Sequence, residues 1–261
     1  MSGNPTQPLP SGRWVMRQTW RDLLFAHWPV PVEMLRPLIS ASLDVDTYDS
    51  VAWVGVVPFH MTGVRLRGTP FSPVAGAFPE LNVRTYVVPR EAAEKKPGVW
   101  FFCLDAGSPV AVAVARRWFH LPYFNARMSV TADDERIRYT SRRTQRGASP
   151  AALTATYSPT APVALSEPGT LVHWLTERYC LYTTDRRGHL FRGDIYHQQW
   201  PLQAASAAIT VNTMAAAHGI MLPETAPLLH FARRLDVRCW PIRRVTKEAA
   251  QALDAERGAS S

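Results

Sequence analysis

Alternating apolar and polar positions recur in short runs along most of the chain. A period of two is typical of β-strands that are buried on one face, and enrichment in Val, Ile, Thr and aromatic residues strengthens the assignment. The pattern predicts strands at residues 50–57, 80–88, 99–104, 127–130, 137–142, 153–157, 178–183 and 189–198. The first of these is expected to end at Pro58, and a turn at 185–188 is expected to join the last two as a hairpin.

Helix signals are fewer. Residues 31–39 follow a proline start, and Ser108 followed by Pro109 predicts a helix over 110–118. The Ala-rich stretch 202–218, closed by Gly219, is the third predicted helix. Many strands with few helices favour an α+β fold that is mainly antiparallel β, built on a large sheet or barrel. The sequence contains no GxGxxG or P-loop motif that would indicate a nucleotide-binding fold.

The two ends of the chain differ from its body. Residues 1–12 are rich in Pro, Ser and Gly and predict a disordered arm, whereas 247–261 predict a short helix with a frayed tail. Residues 13–246 are therefore expected to form a single domain. At 261 residues with 46% hydrophobic content, the chain can bury a large core. With no signal-like start and no run of about 18 apolar residues, we expect a cytoplasmic protein.

The charge is strongly positive and is carried mostly by arginine. The net charge is +8, and lysine occurs at positions 95, 96 and 247 alone. Arginines cluster at Arg142, Arg143 and Arg146 and at Arg233, Arg234, Arg243 and Arg244. Neither cluster is interleaved with aromatic residues as a base-stacking surface would require, so solvated surface charge is favoured over nucleic-acid binding.

The strand predicted at 80–88 carries the most distinctive set of polar residues. Alternation places Glu80, Asn82, Arg84 and Tyr86 on one face. This face either meets water or lines a cavity in which these groups satisfy one another and a ligand. Opposite charges on the same face also allow a simple ion pair.

Other polar residues suggest weaker candidates. Arg178 and His197 lie at the outer ends of the predicted hairpin, where a histidine serves either as an acid or base or as a structural residue. The eight histidines show no HxxxH or HExxH pair, and Asp44, Asp46 and Asp49 lack the remainder of a calcium loop, so no metal is expected. The three separated cysteines indicate buried thiols, and no cofactor motif or GxSxG nucleophile elbow is present.

Seven blocks of the sequence, in order, resemble a known family. They are RDLLFAHWPVP, SVAWVGVVPFHM, FPELNVRTYV, PGVWFFCLDA, ARRWFHLPYFNARM, LTERYCLYT and HQQWPL, and they extend from about Trp20 to Trp240. The chain is similar to the uncharacterised YqjF-like family of the acetoacetate decarboxylase-like superfamily. This resemblance implies a conical β-barrel that encloses a small-molecule cavity and carries a few flanking helices.

The resemblance also bears on mechanism. In the decarboxylases of this superfamily, a lysine that follows a proline forms a Schiff base with a β-keto acid. Pro122 matches that proline, and Tyr123 and Phe124 stand where the lysines would be. A phenol cannot form an imine, so the protein is not expected to be a Schiff-base decarboxylase. On this resemblance, Glu80 looks like the counterpart of the decarboxylases' pocket glutamate.

Together these observations predict a barrel that binds a small organic acid or carbonyl compound. Glu80, His120 and Tyr123 are the catalytic candidates, while Asn82, Arg84, Tyr86, Arg178 and His197 are the candidates for ligand binding. Whether the protein is an enzyme, of lyase or hydrolase type, or a non-catalytic sensor, carrier or interaction module stays open at this point. No cofactor and no membrane partner are expected, and a homo-oligomer is compatible with the sequence.

Overall fold

The computed structural model describes residues 8–68, 77–92, 94–133 and 136–246, and strands dominate this part of the chain. The strands are β1 (Met16–Val30), β2 (Leu43–Val45), β3 (Ala52–Leu66), β4 (Phe78–Pro89), β5 (Gly98–Ala106), β6 (Tyr123–Ala132), β7 (Ile137–Arg143), β8 (Ala152–Pro159), β9 (Cys180–Thr184), β10 (Leu190–Tyr196), β11 (Gln203–Asn212), β12 (Leu228–Cys239) and β13 (Arg243–Arg244). The helices are α1 (Val32–Leu35), α2 (Pro109–Phe119) and α3 (Leu171–Thr176), with 3-10 turns at Arg36–Leu38 and Ala216–His218.

These strands form one sheet that closes on itself. Its order is β13-β10-β9-β5-β6-β7-β8-β11-β12-β1-β3-β4-β2, and the pairing of β4 with β5 completes a ring of nine strands running from β5 through β12 to β4. Strands β9 and β10 make a second connection between β5 and β12. Strand β5 runs parallel to β6 and β9, and the other pairings between these strands are antiparallel. The predicted α+β barrel, mainly antiparallel, is confirmed.

The apolar residues of the barrel separate into two large clusters. One includes Tyr139, Leu153 and Phe231 and joins residues of β7 and β8 to residues of β1, β3 and β4. The other includes Phe59 and Trp200 and surrounds a cavity on the side of β1, β3 and β12. Burial of aromatic side chains of this size contributes roughly 2–3 kcal/mol each, so both clusters stabilise the barrel wall.

The prediction of a helix at 202–218 is wrong. Residues 203–212 form β11, which pairs with β8, and the helical part is limited to the turn Ala216–His218. Ala205, Ala207 and Ile209 pack on the core, while the residues between them are exposed. This period of two is hidden by the helix propensity of alanine, and pairing with β8 overrides that propensity. Gly219 does end the turn, with φ +75°.

The sequence pattern also missed two long strands. Strands β1 and β12 carry arginines on their outer faces and pair with each other over most of their length. In addition, β3 continues through Pro58 instead of ending there. Pro58 lies where the register between β1 and β3 is interrupted, so its missing N–H removes no bond to β1.

The predicted domain, residues 13–246, has its boundaries near the two ends of the chain. The sheet extends from Met16 to Arg244. Before it, the Gly12 carbonyl oxygen accepts a hydrogen bond from Trp240 Nε1 at 3.1 Å. The helix and tail predicted at 247–261, and residues 1–7 of the predicted arm, lie outside the described residues.

Candidate ligand cavity

A cavity of about 180 Å³ lies between the barrel wall and helix α2. Its wall is mostly apolar and is made by β1, β3, β4, β5, α2 and the segment that follows α3, together with residues of β9, β10 and β12. The apolar residues that contribute most are Trp20, Val57, Phe59, Met61, Phe78, Phe101, Leu104, Phe119, Leu121 and Trp200. A small number of polar groups in such a setting is typical of a site that binds a small molecule.

Three polar side chains of β4 reach this cavity. Glu80, Asn82 and Arg84 alternate with the core residues Leu81 and Val83, so the pleat of the strand turns them inward together. They are 3%, 5% and 8% exposed, respectively. Their Cα atoms are about 7 Å apart at each step, because a strand rises about 3.3 Å per residue. These three members of the predicted polar face therefore line a cavity and do not meet bulk water.

Glu80 is bound by Tyr123, the first residue of β6. The Tyr123 hydroxyl donates to Glu80 Oε2 at 3.0 Å. Burial raises the pKa of Glu80 from 4.5 to about 8, although the hydrogen bond from Tyr123 acts in the opposite direction. The same burial, together with the Glu80 charge, raises the pKa of Tyr123 well above its ordinary value. At neutral pH the pair is therefore mostly protonated and provides a hydrogen-bond donor to the cavity.

Arg84 lies at the opposite end of the polar row and has no counterion among the described residues. Its Nη2 donates to the Leu175 carbonyl oxygen at 3.3 Å, and its guanidinium lies 5.2 Å from the Phe25 ring centroid. Its buried Nε and the Oδ1 atom of Asn82 lack hydrogen-bond partners within the described part of the chain. A buried cation without a counterion is costly, so this end of the cavity attracts an anion.

Arg178 and His197 also line the cavity, but each is held by the protein. Arg178 Nη1 pairs with Asp46 Oδ2 at 2.6 Å, and its Nε donates to the Trp174 carbonyl oxygen at 2.7 Å. His197 donates from Nδ1 to the Gln198 carbonyl oxygen at 2.7 Å. Burial lowers the pKa of His197, so its ring is neutral at pH 7. These partners favour a role in shaping the cavity.

Tyr86 continues the row on β4 but is not part of the cavity wall. Its hydroxyl donates to the Leu175 carbonyl oxygen at 2.8 Å and lies 2.7 Å from His27 Nε2. Because the hydroxyl has one proton, His27 Nε2 is the donor in the second contact. Burial and Arg84 lower the pKa of His27, which keeps it neutral. Tyr86 thus supports the carbonyl group that Arg84 also contacts.

His120 does not join the other candidates. It follows the last residue of α2 with φ +52°, is exposed, and lines a separate outer cleft with Arg116, Thr183 and Asp185. Its ring lies 5.3 Å from that of Phe191. The left-handed backbone at the end of α2 turns the imidazole outward, while Tyr123 begins a strand and faces inward. The prediction that His120 shares a site with Tyr123 needs this correction.

Covalent catalysis has little support among the groups at this site. In the described part of the chain no lysine lines the cavity, and Lys96 Nζ pairs with Asp194 Oδ1 at 3.0 Å. Cys180 and Cys239 line it, but burial raises the pKa of both thiols to about 12. Among the described residues, no group of three or more His, Cys, Asp or Glu side chains is placed to hold a metal ion. Proton transfer and hydrogen bonding are the chemistry that these groups support.

Sequence reasoning missed much of the apolar wall. Trp20 and Trp200 stack with their ring centroids 5.7 Å apart, and Trp200 meets Phe25 edge to face at 4.8 Å. Trp20 lies on β1, which was not predicted as a strand. The alternation of Met16, Gln18 and Trp20, all of which line the cavity, is the signal that would have placed it.

The barrel and its cavity define an acetoacetate decarboxylase-like fold, and solved structures with that fold are similar over nearly their whole length. An acetoacetate decarboxylase from Legionella pneumophila matches with a TM-score of 0.61 and 12% identity, covering 94% of this chain and 98% of that one. The enduracididine biosynthesis enzyme MppR, complexed with the condensation product of pyruvate and imidazole 4-carboxaldehyde, matches with a TM-score of 0.62, 9% identity and the same coverage.

Comparisons of sequence identify a family within this fold. A model of the DUF2071 family, described as an uncharacterized conserved protein, matches residues 17–236. The uncharacterized protein YqjF of Bacillus subtilis (strain 168) is 49% identical over 236 residues, which are 90% of this chain and 95% of that protein. The chain belongs to the DUF2071 family, whose YqjF-like pattern its sequence blocks showed. Within the described residues, no helix has the length and apolar character needed to span a bilayer.

Proposed function

We propose that the cavity binds a small monocarboxylic acid that carries a second oxygen function. The observation on which this rests is Arg84, a buried cation that lines the cavity and has no counterion among the described residues. A carboxylate of the ligand would accept two parallel hydrogen bonds from this guanidinium and neutralise its charge. Arg178 is a weaker candidate for that task because Asp46 already pairs with it.

The remainder of the row sets the orientation of the ligand. With the carboxylate at Arg84, a carbonyl or hydroxyl oxygen farther along the ligand would approach the protonated Glu80 and Tyr123 pair. Asn82, between them, adds an acceptor that lacks a partner within the described residues. The apolar wall suits an aliphatic body, and the volume of about 180 Å³ limits it to a small molecule. That MppR has been seen with a pyruvate-derived compound supports an oxo acid as the first class to test.

Glu80 is the proposed acid or base. A carboxyl group with a pKa near 8 can donate a proton to a carbonyl oxygen at neutral pH and accept one from the neighbouring carbon afterwards. The same groups, without turnover, would make the protein a carrier or sensor of the acid. Turnover of a bound acid that Glu80→Gln abolishes, with binding retained, supports the enzyme. Binding without turnover supports the carrier.

Binding can be tested by thermal denaturation in the presence of pyruvate, acetoacetate, levulinate and hexanoate, each beside its neutral methyl ester. We expect at least one acid to raise the melting temperature of the wild type, since saturation at about 100 times Kd stabilises a protein by about 2.7 kcal/mol. Arg84→Met should lose this shift, whereas the exposed-arginine control Arg138→Met should keep it. A folded Arg84→Met protein with an unchanged shift would contradict the proposal.

The absence of imine chemistry is tested separately. After incubation with pyruvate or acetoacetate and sodium borohydride, the intact mass of the protein should be unchanged, because a phenol stands at the position of the decarboxylase lysine. A stable adduct detected by mass spectrometry would overturn this expectation.

A further inference from the structure

The outer surface of β12, β1 and β3 collects arginines from three distant parts of the chain. Arg17 on β1 lies directly opposite Arg65 on β3 and, on its other side, opposite Arg238 on β12. All three are exposed. Their neighbours along β1, Met16 and Gln18, line the cavity, so the arginines point away from it.

This row carries charge that the protein does not neutralise. Among the described residues, no carboxylate pairs with Arg17, Arg65 or Arg238. Directly opposed like charges on neighbouring strands, which are about 5 Å apart, destabilise a sheet. The clusters noted in the sequence are partly neutralised, because four of their seven arginines, Arg143, Arg233, Arg234 and Arg243, pair with Asp105, Asp22, Asp236 and Asp194.

The surface around the row is also positively charged. Arg21 lies opposite Arg234 and His60 in a parallel row four positions further along β1. Asp236, between the rows, is already engaged by Thr19 Oγ1 at 2.6 Å and by Arg234. On the far side of Arg238, Tyr196 of β10 lies directly opposite it and shares its face.

We infer that this surface binds the phosphate backbone of a single-stranded nucleic acid. Rows of arginine on a sheet can neutralise successive phosphates, and Tyr196 provides a ring on which a base can stack. An anionic membrane is a poorer fit, because none of the large apolar side chains exposed in the described residues belongs to this face. The inference is independent of the cavity and its ligand.

The test measures binding of a fluorescein-labelled single-stranded RNA of about 20 nucleotides to the full chain by fluorescence anisotropy, between about 50 and 200 mM KCl. The variant Arg17→Gln/Arg65→Gln/Arg238→Gln should bind at least about tenfold more weakly than the wild type. Its salt dependence should be shallower by about 2 in the log–log slope, since each lost phosphate contact on a single strand contributes about 0.7.

A control with the same change in charge is available on another face. Arg127, Arg138 and Arg142 are exposed on β6 and β7, and their replacement by Gln should leave the affinity within about twofold. Melting temperatures establish that both variants are folded, and the first should melt no lower than the wild type because repulsion is removed. Equal losses in both variants, no binding at about 50 mM KCl, or binding to phosphatidylglycerol vesicles but not to RNA would each overturn the inference.

Discussion

Two buried arginines of this barrel have opposite surroundings. Arg143 on β7 reaches Asp105 on β5 with three contacts of 2.7, 3.0 and 3.2 Å, and the guanidinium lies 4.1 Å from the centroid of the Phe124 ring. Arg84 on β4 has a single carbonyl contact at 3.3 Å and no carboxylate among the described residues. The charge of the first arginine, Arg143, is neutralised within the fold. In the proposed function a ligand carboxylate completes the second, and this difference would separate structure from function among residues of the same type.

The largest expected effect on stability concerns the ion pair between Arg143 and Asp105. Arg143→Met leaves Asp105 fully buried without a cation, and we expect the free energy of unfolding to fall by about 3–5 kcal/mol in urea denaturation. Arg143→Met combined with Asp105→Leu should recover most of the loss, because the uncompensated charge is gone. A loss below about 1 kcal/mol in the single variant would remove the contrast with Arg84.

The second prediction concerns pH. Glu80 has a pKa of about 8 in the folded protein and near 4.5 when unfolded, so between these values the folded state holds one more proton. Its contribution to stability is therefore greatest below pH 4.5 and is lost as the pH rises toward 8. Relative to Glu80→Gln, the wild type should lose roughly 1 kcal/mol per pH unit across that interval.

The measurement is urea denaturation of both proteins from acid to alkaline pH, and the difference between the two curves is compared so that other titrating groups cancel. A flat difference would show that Glu80 is not held protonated. Ligand affinity should also fall above pH 8 in the wild type, where the carboxylate repels an anion, and not in Glu80→Gln.

The smallest effect on stability is expected for Tyr86, which contacts the same carbonyl group as Arg84. Tyr86→Phe removes the hydroxyl between His27 Nε2 and the Leu175 carbonyl oxygen, which should cost about 1–2 kcal/mol of stability. Arg84 keeps its contact with Leu175, so ligand affinity should change by less than about threefold. Tyr48→Phe, which removes a hydrogen bond to the Gly169 carbonyl oxygen near the surface, is the control and should cost less than about 0.5 kcal/mol. If Tyr86→Phe abolishes binding, Tyr86 belongs to the site itself.

Strand alternation was sufficient to place one side of the cavity. Glu80, Asn82 and Arg84 lie two residues apart on a strand, and period two alone puts them on one face. The family resemblance made Tyr123 and Glu80 candidates for one site, but their contact was not predicted, since no local pattern links residues 43 positions apart. The same-face ion pair that the sequence allowed does not form, because about 13 Å separates the Cα atoms of Glu80 and Arg84 on an extended strand.

The remaining features depend on tertiary pairing. His120 lies three residues before Tyr123, yet one left-handed residue at the end of a helix directs the two side chains to different sides of the wall. Arg84 has no counterion among the described residues because Asp46 pairs with Arg178 and Asp105 pairs with Arg143. Ala-rich β11 is a strand because β8 pairs with it. None of these outcomes is encoded within a short window of sequence.

In the proposed function, Arg84 is kept without a counterion so that it can bind a ligand carboxylate. The most direct test is urea denaturation of the wild type and Arg84→Met, with and without the acid that gives the largest thermal shift. Without the acid, Arg84→Met should be as stable as the wild type to within about 1 kcal/mol or more stable, because a buried unpaired charge is removed. With it, the wild type alone should gain stability. An Arg84→Met protein that is several kcal/mol less stable without ligand, or that gains as much from the acid as the wild type, would contradict the claim.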